Sequence, residues 1–393
     1  MGLTNQDIVC FANDWTADPT SKHHLMKRLA ATNRVLWVEA AGMRSPRLGR
    51  RDDLRRIRRK LLTLTANARQ RLPGLWSFAP PILPLAGWAM ADRLNRRLYA
   101  WSIRRQLRRL GFDPQPMLWI YGPHVAPWIR DLRRRCLVYH CVDRWGAFRD
   151  YDAERMRRAE AEICRAAQVV LASAADLGER CRTFGATVHY VPHGVEHSHF
   201  AAALEPGVLP FDLARIPAPR IGFFGLIHEW VDTDLLATLA ERLPYSFVLI
   251  GTSNQDLSSL LARRNVFHLG RRPYQELPDY CRGFDAAIVP FRLSELTRSV
   301  NPIKLREYAA AGLPIVASDL PEIRRCSTIA TCVTGIEDWE GALRAAVARS
   351  GIPAERRAQS ERVKDQDWGG VTERIGSLVA RGCPTAPSSP LGP

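Results

Sequence analysis

The chain has 393 residues, enough for two domains of ordinary size, and its 46% apolar and 24% charged content is that of a soluble globular protein. Nine scattered cysteines with no Cys-x-x-Cys pair indicate neither a zinc site nor a disulfide framework, so a reducing cytoplasm is expected. A net charge of +16 asks for an anionic partner. No zinc finger, aromatic-rich RNA motif or helix-turn-helix signature points to nucleic acid, so an anionic membrane surface is the preferred one.

Met1 to Asp7 is polar and lacks the charged-then-apolar pattern of an export signal. Strands are then expected at Ile8–Ala12, Val35–Glu39, Leu75–Ala79, Met117–Tyr121, Leu137–Cys141, Val169–Ala172 and Val188–Val191. Helical patterns fill the gaps, starting with Ser21–Ala31. Between Arg44 and Arg71 there are eleven Arg or Lys residues against two Asp. Leu54, Ile57, Leu61 and Leu64 recur there at helical spacing, which predicts a basic amphipathic helix from about Arg50 to Leu72. The uncharged stretch Leu72 to Ala91 is long enough to span a membrane, but its four prolines favour a buried strand and an irregular loop.

The Pro-rich run from Ala201 to Arg220 is expected to link two domains. A second strand series follows at Ile221–Phe224, Phe247–Ile250, Val266–Leu269, Ala286–Val289 and Pro314–Ala317, then a mainly helical Ala354–Ala380. Alternating strands and helices imply parallel sheets covered on both faces. The expected division is 1–200, a linker at 201–219, 220–380, and a disordered tail at 381–393.

The segment Asn301-Pro-Ile-Lys-Leu-Arg-Glu-Tyr-Ala-Ala-Ala-Gly-Leu-Pro-Ile-Val-Ala-Ser carries most of the functional information. Asn301 can cap a helix, Pro302 fits its first turn, and Gly312 can end it in the left-handed conformation. Lys304 then lies in the first turn and Glu307 on the same face, a cation for a diphosphate and a carboxylate for a ribose diol. Glu307 to Val316 resembles the Glu-Ala-Met-Ala-x-Gly-x-Pro-Val-Val element of retaining glycosyltransferases with the GT-B fold. It is closest to the Pro-x-Lys-x-x-Glu-Tyr variant of bacterial polysaccharide enzymes, a group 1 or family 4-like type that includes teichuronic-acid glycosyltransferases. Val191-Pro-His-Gly-Val-Glu196, Ile221-Gly-Phe-Phe-Gly225, Val248-Leu-Ile-Gly251, Val266-Phe-His-Leu-Gly270 and Asp285–Phe291 resemble further elements of that family, in the same order.

The resemblance implies an α/β protein of two Rossmann-like doubly wound domains facing a central cleft. It also implies a nucleoside diphosphate sugar donor, a glycan or polyprenyl-linked acceptor, and retention of configuration, with no cofactor and no metal. A peripheral position on the inner face of the cytoplasmic membrane would suit such an acceptor. Donor contacts are expected from Glu307, Lys304, Arg298, Gly225, Gly251, Arg271 and Ser299. Ser299 stands where the family's Glu-x7-Glu pair has its first glutamate, and Leu226 to Trp230 replaces the usual basic residues after the glycine turn. In the first domain, His23, His124 and Asp143 follow strand ends and are the catalytic candidates, His124 matching a cleft histidine of related enzymes. His23 can instead cap or pack its helix, and Asp143 can cap the segment after it. A nucleotide-sugar epimerase of this fold and a non-catalytic scaffold are the alternatives.

Overall fold

The computed structural model describes residues 2–39, 67–81, 89–149 and 151–383, the side chains of 89–92 excepted. The chain forms two compact units, Met1–Val191 with Thr372–Pro393, and Pro192–Val371. Each has its own apolar core.

The first unit is an eight-stranded sheet: β1 Asp7–Ala12, β2 Arg34–Glu39, β3 Arg69–Leu72, β4 Leu75–Phe78, β5 Met117–Ile120, β6 Cys136–Cys141, β7 Val169–Ala172 and β8 Val188–Tyr190, in the order β3-β4-β2-β1-β5-β6-β7-β8. All pairs are parallel except β3 with β4. β1 and β6 are buried throughout, as strands covered on both faces must be. The longer helices here are α1 Ser21–Leu29, α2 Ala89–Arg109, α3 Ala153–Ala166 and α4 Ala175–Thr183.

The second unit is a six-stranded parallel sheet: β9 Arg220–Phe224, β10 Ser246–Ile250, β11 Val266–Gly270, β12 Ala286–Val289, β13 Ile315–Ser318 and β14 Thr331–Val333, in the order β11-β10-β9-β12-β13-β14. Its longer helices are α5 Thr233–Arg242, α6 Ile303–Ala310, α7 Ile336–Ser350 and α8 Pro353–Glu361. A last helix, α9 Trp368–Gly382, follows. In each sheet the order reverses beside one strand, β1 in the first and β9 in the second, which makes the carboxyl ends there the natural ligand positions of a doubly wound fold.

Several expectations change. Residues 50–66 of the basic helix lie outside the described residues, but Arg69–Leu72 is a strand, turned back onto β4 through Pro73 and Gly74 (φ 73°). A Pro-Gly pair fits the centre of a reversing turn, which ends any helix before it. Part of the loop expected after Phe78, residues 82–88, is likewise outside the described residues. The segment 201–219 buries Ala203, Leu213 and Ile216 in the second core instead of standing apart as a linker. The short strand Thr331–Val333 went unforeseen because three residues carry too little alternation to read.

The expected tail also begins later. Arg381 and Gly382 end α9, and Cys383 is buried and disulfide-bonded to Cys136, 247 residues away. The sequence carried no sign of this pairing, since only packing of α9 against the first unit brings the two thiols together. Residues 384–393 lie outside the described residues. No helix among the described residues is long and apolar enough to cross a membrane.

Candidate active site

In the second unit, β9 and β10 both end in a glycine of positive φ, Gly225 at 133° and Gly251 at 140°. A β-carbon on Gly251 would strike the Gly225 carbonyl, and one on Gly225 would strike the end of the Lys304 side chain. Both positions therefore require glycine, for backbone angle and for space. His268 Nε2 lies 2.8 Å from the Gly251 carbonyl oxygen and braces the second turn.

Lys304 is the second residue of α6. The residue that caps this helix is Pro302, with no side-chain cap bond, and not Asn301 as expected. Asn301 is buried and used elsewhere: its amide donates to Glu322 Oε2 (3.0 Å) and its carbonyl accepts from Arg306 (2.7 Å). A buried guanidinium and carboxylate both needed a polar bridge, and that demand outweighed capping. Gly312 ends the helix with φ 74°, as its position predicts.

One turn beyond Lys304, Glu307 is 6% exposed. Burial pushes its carboxyl up to about 7; Lys304 opposes that shift and Glu196 adds to it. Burial also holds the Lys304 ammonium below its usual range, with Glu307 opposing. Tyr308 accepts a hydrogen bond from the Phe224 backbone N–H at 2.8 Å, which pins α6 to the strand that precedes Gly225. This places the glycine turns, Lys304 and Glu307 in one group.

The other expected donor residues are more scattered. Ser299 is fully buried behind the short helix Glu295–Arg298, while Arg298 itself is exposed. Arg271 is exposed at the end of β11. Its neighbour Arg272 is committed to Asp212 (2.6 Å) and the Tyr280 hydroxyl (2.7 Å). The unusual Leu226–Trp230 stretch is structural. Ile227 is buried, His228 stacks on Trp230 at 4.4 Å, and Gln255 donates to the His228 carbonyl.

In the first unit, His23, His124, His140 and Lys22 are buried near the carboxyl ends of β1, β5 and β6. His23 closes α1: its Nδ1 accepts from the Thr20 backbone N–H at 3.2 Å, and the ring packs between Trp15 and Trp37. Burial lowers its pKa to about 4. His124 is 8% exposed with neither ring nitrogen bonded, and burial with Lys22 nearby lowers its pKa to about 4. His140 in β6 is likewise without hydrogen bonds and stacks on Tyr121 at 5.1 Å, with its pKa lowered to about 3. All three rings are therefore neutral near pH 7.

Lys22, unforeseen as a site residue, is 9% exposed. Its ammonium sits 5.6 Å from the Tyr121 ring centre and 5.5 Å from that of Trp145, within cation–π range. Asp143 is half-buried at the end of β6. Burial raises its pKa and Lys22 opposes the shift, so the two charges stabilise each other. A β-carbon at Gly122 would collide with the His124 ring, which explains glycine after Tyr121. Lys22 could have been anticipated, since like Lys304 it is the second residue of a helix that follows a strand end.

The sequence shows no clustered thiol ligands, yet folding brings Cys141, Cys181 and Glu160 within 4.8 Å of one another. Glu160 already accepts from the Tyr139 hydroxyl (2.8 Å) and pairs with Arg180 (2.6 Å). Hydrogen bonding to Cys181 and burial push the Cys141 thiol well up. In the structure the group is held together by hydrogen bonds among its own side chains and by the ion pair to Arg180.

Residues 218–349 match the family described as Glycosyl transferases group 1. This stretch of the second unit is therefore similar to the group 1 glycosyl transferases. The putative teichuronic acid biosynthesis glycosyltransferase TuaH of Bacillus subtilis (strain 168) is 25% identical over 263 residues. That match covers 61% of this chain and 65% of the relative, just under two thirds of its length. The Anabaena Alr3699/HepE structure with UDP and glucose superposes with a TM-score of 0.66 at 13% identity, over 96% of this chain and all of that one. Sucrose-phosphate synthase from Thermosynechococcus elongatus gives 0.68 at 14% identity, over 96% and 99%. At these identities the likeness is one of fold. None of these matches favours the epimerase or the scaffold.

Proposed function

We propose that the protein transfers a sugar from a nucleoside diphosphate sugar to a glycan or polyprenyl-linked acceptor in cell-surface polysaccharide synthesis. The observation that carries this reading is Lys304 folded against the glycine turns, with buried Glu307 one helical turn away. With no β-carbon at the two turns a diphosphate can come close to the main chain, and the start of α6 adds its dipole. Lys304 meets the charge that grows on the leaving diphosphate, and Glu307 accepts from the ribose hydroxyls. The sugar passes through an oxocarbenium-like transition state, so catalysis rests on alignment and charge complementarity.

In the first unit, Asp143 is suited to accept from an acceptor hydroxyl, with Lys22 opposing the upward push of burial on its carboxyl. His124 and His140, being neutral, offer one donor and one acceptor nitrogen each. Ser299 leaves the family's first glutamate missing, so retention, which the motif likeness supports, is best tested by the anomer of the product. We place no metal or cofactor in the reaction; turnover that is abolished by EDTA and restored by magnesium or manganese would contradict this. The basic segment between Arg44 and Arg71 supports peripheral attachment to the inner face of the cytoplasmic membrane.

The deciding experiment is a thermal-shift screen with UDP, GDP and dTDP sugars, followed by donor turnover. The Anabaena neighbour was solved with UDP and glucose, so uridine donors come first. A donor should raise the melting temperature and be turned over. No response to any nucleotide sugar, or the same response in Lys304→Ala, would overturn the reading.

A further inference from the structure

A cavity of about 290 Å³ opens in the second unit, bordered by Pro314 and Ile315 where β13 begins and by Ala330 and Thr331 where β14 begins. All strands of this sheet are parallel, so the cavity lies at the end opposite Gly225 and Gly251. It is a different site from the one proposed for the donor.

Its walls are basic. Arg349, Arg356 and Arg362 line it, against one carboxylate, Glu355, with the Ser327 and Thr328 hydroxyls beside them. Arg349 Nε is held by Glu355 at 2.5 Å, and Arg362 by the Gln359 side chain at 2.6 Å. Arg356 is different. Its Nε–H is buried without a hydrogen-bond partner, although its terminal nitrogen reaches the Ala311 carbonyl at 3.3 Å and the Cys281 carbonyl at 3.5 Å. A guanidinium does not shed its proton, so burial leaves this one donor unpaired. The volume corresponds to roughly ten waters, room for a small anion.

We propose that this cavity binds a small phosphate-type anion, orthophosphate or diphosphate, through the three arginines. Guanidinium forks match phosphate oxygens in charge and geometry, and three of them line this one cavity. The site also touches the catalytic helix. Arg356 binds the carbonyl of Ala311, the C-cap residue of α6, and a β-carbon on Gly312 would lie 2.7 Å from the Arg356 backbone oxygen. An anion seated on Arg356 thus bears on the helix whose other end carries Lys304 and Glu307.

The test uses the full chain carrying Lys304→Ala, which weakens the other phosphate-binding position while leaving this cavity whole. Sodium pyrophosphate and sodium phosphate, each against sodium chloride of equal ionic strength, should raise the melting temperature of this variant as they do the unsubstituted protein. Hydrogen exchange should slow in residues 311–315 and 349–362. Adding Arg349→Gln with Arg362→Gln should weaken the apparent affinity at least tenfold; both side chains reach the surface and leave the Arg356 contact to Ala311 in place. Loss of the shift in Lys304→Ala would mean the anion binds only at the donor position and would overturn the proposal. An undiminished shift in the arginine double variant, or no shift beyond chloride, would do the same. None of these readouts requires sugar transfer, so a failure of the proposed activity would leave the result interpretable.

Discussion

The carboxyl ends of the two sheets answer one problem in two ways. Each presents a lysine at the second position of a helix, Lys22 in α1 and Lys304 in α6, electrostatically coupled to a carboxylate, Asp143 or Glu307. In both pairs burial lowers the lysine pKa and raises that of the acid. The surroundings differ. Lys304 lies on bare glycine backbone, whereas Lys22 lies between Tyr121 and Trp145 beside neutral histidines. A cation beside main chain that carries no β-carbon suits a diphosphate, while neutral rings around a paired charge suit hydroxyls. The same residue pair acquires a different chemistry from what is packed around it.

The largest expected effect comes from breaking the second pair. Lys304→Ala should reduce turnover by ~100-fold or more, the scale of losing one preorganised charge contact in a transition state. Its circular dichroism should be unchanged, because Lys304 caps nothing. Near-normal turnover would dissolve the contrast between the two ends.

Next in size is Glu307, whose substitution by glutamine should raise the donor KM by ~10–100-fold through lost charge-assisted bonds. The pH dependence has a definite sign. Between its ordinary value of 4.5 and about 7 the folded protein keeps a proton that the unfolded chain releases. Stability from this group is therefore full below pH 4.5 and is lost as pH rises to 7. Donor binding through the ionised carboxylate moves the other way and improves as pH rises through 7. Glu307→Gln should flatten both trends; an unchanged pH profile of donor KM would remove Glu307 from the site.

Lys22→Met tests the first pair and should have a smaller effect. The acceptor KM is expected to rise about tenfold, with donor KM unaltered, because an unpaired Asp143 would take up a proton more readily. A change confined to donor KM would reverse the assignment of the two ends. The smallest effect concerns attachment. Arg55, Arg56, Arg58 and Arg59, all changed to Gln, should weaken co-sedimentation with anionic vesicles at low salt, basic residues contributing about 1 kcal/mol each near such a surface. Soluble donor binding should persist, and equal recovery on neutral vesicles would exclude an electrostatic attachment.

What could be read along the chain was whatever rests on neighbours in sequence. Strands such as Val169–Ala172 and Ala286–Val289 announce themselves as short apolar runs, because a strand buried on both faces must be apolar throughout. Gly312 was legible as a position of left-handed backbone, Gly225 and Gly251 as glycines closing strands, and the spacing of Lys304 and Glu307 follows from helical geometry. Tertiary structure alone decided the rest. Asn301 abandoned its cap for Glu322 and Arg306, Cys136 met Cys383, Arg69–Leu72 turned into a strand, and Lys22 was drawn toward Asp143, far along the chain. Periodicity and capping are local and therefore written in adjacent residues. Which buried charge finds which partner depends on chain segments brought together by packing, and a polar group taken from water bonds to whatever the fold places beside it.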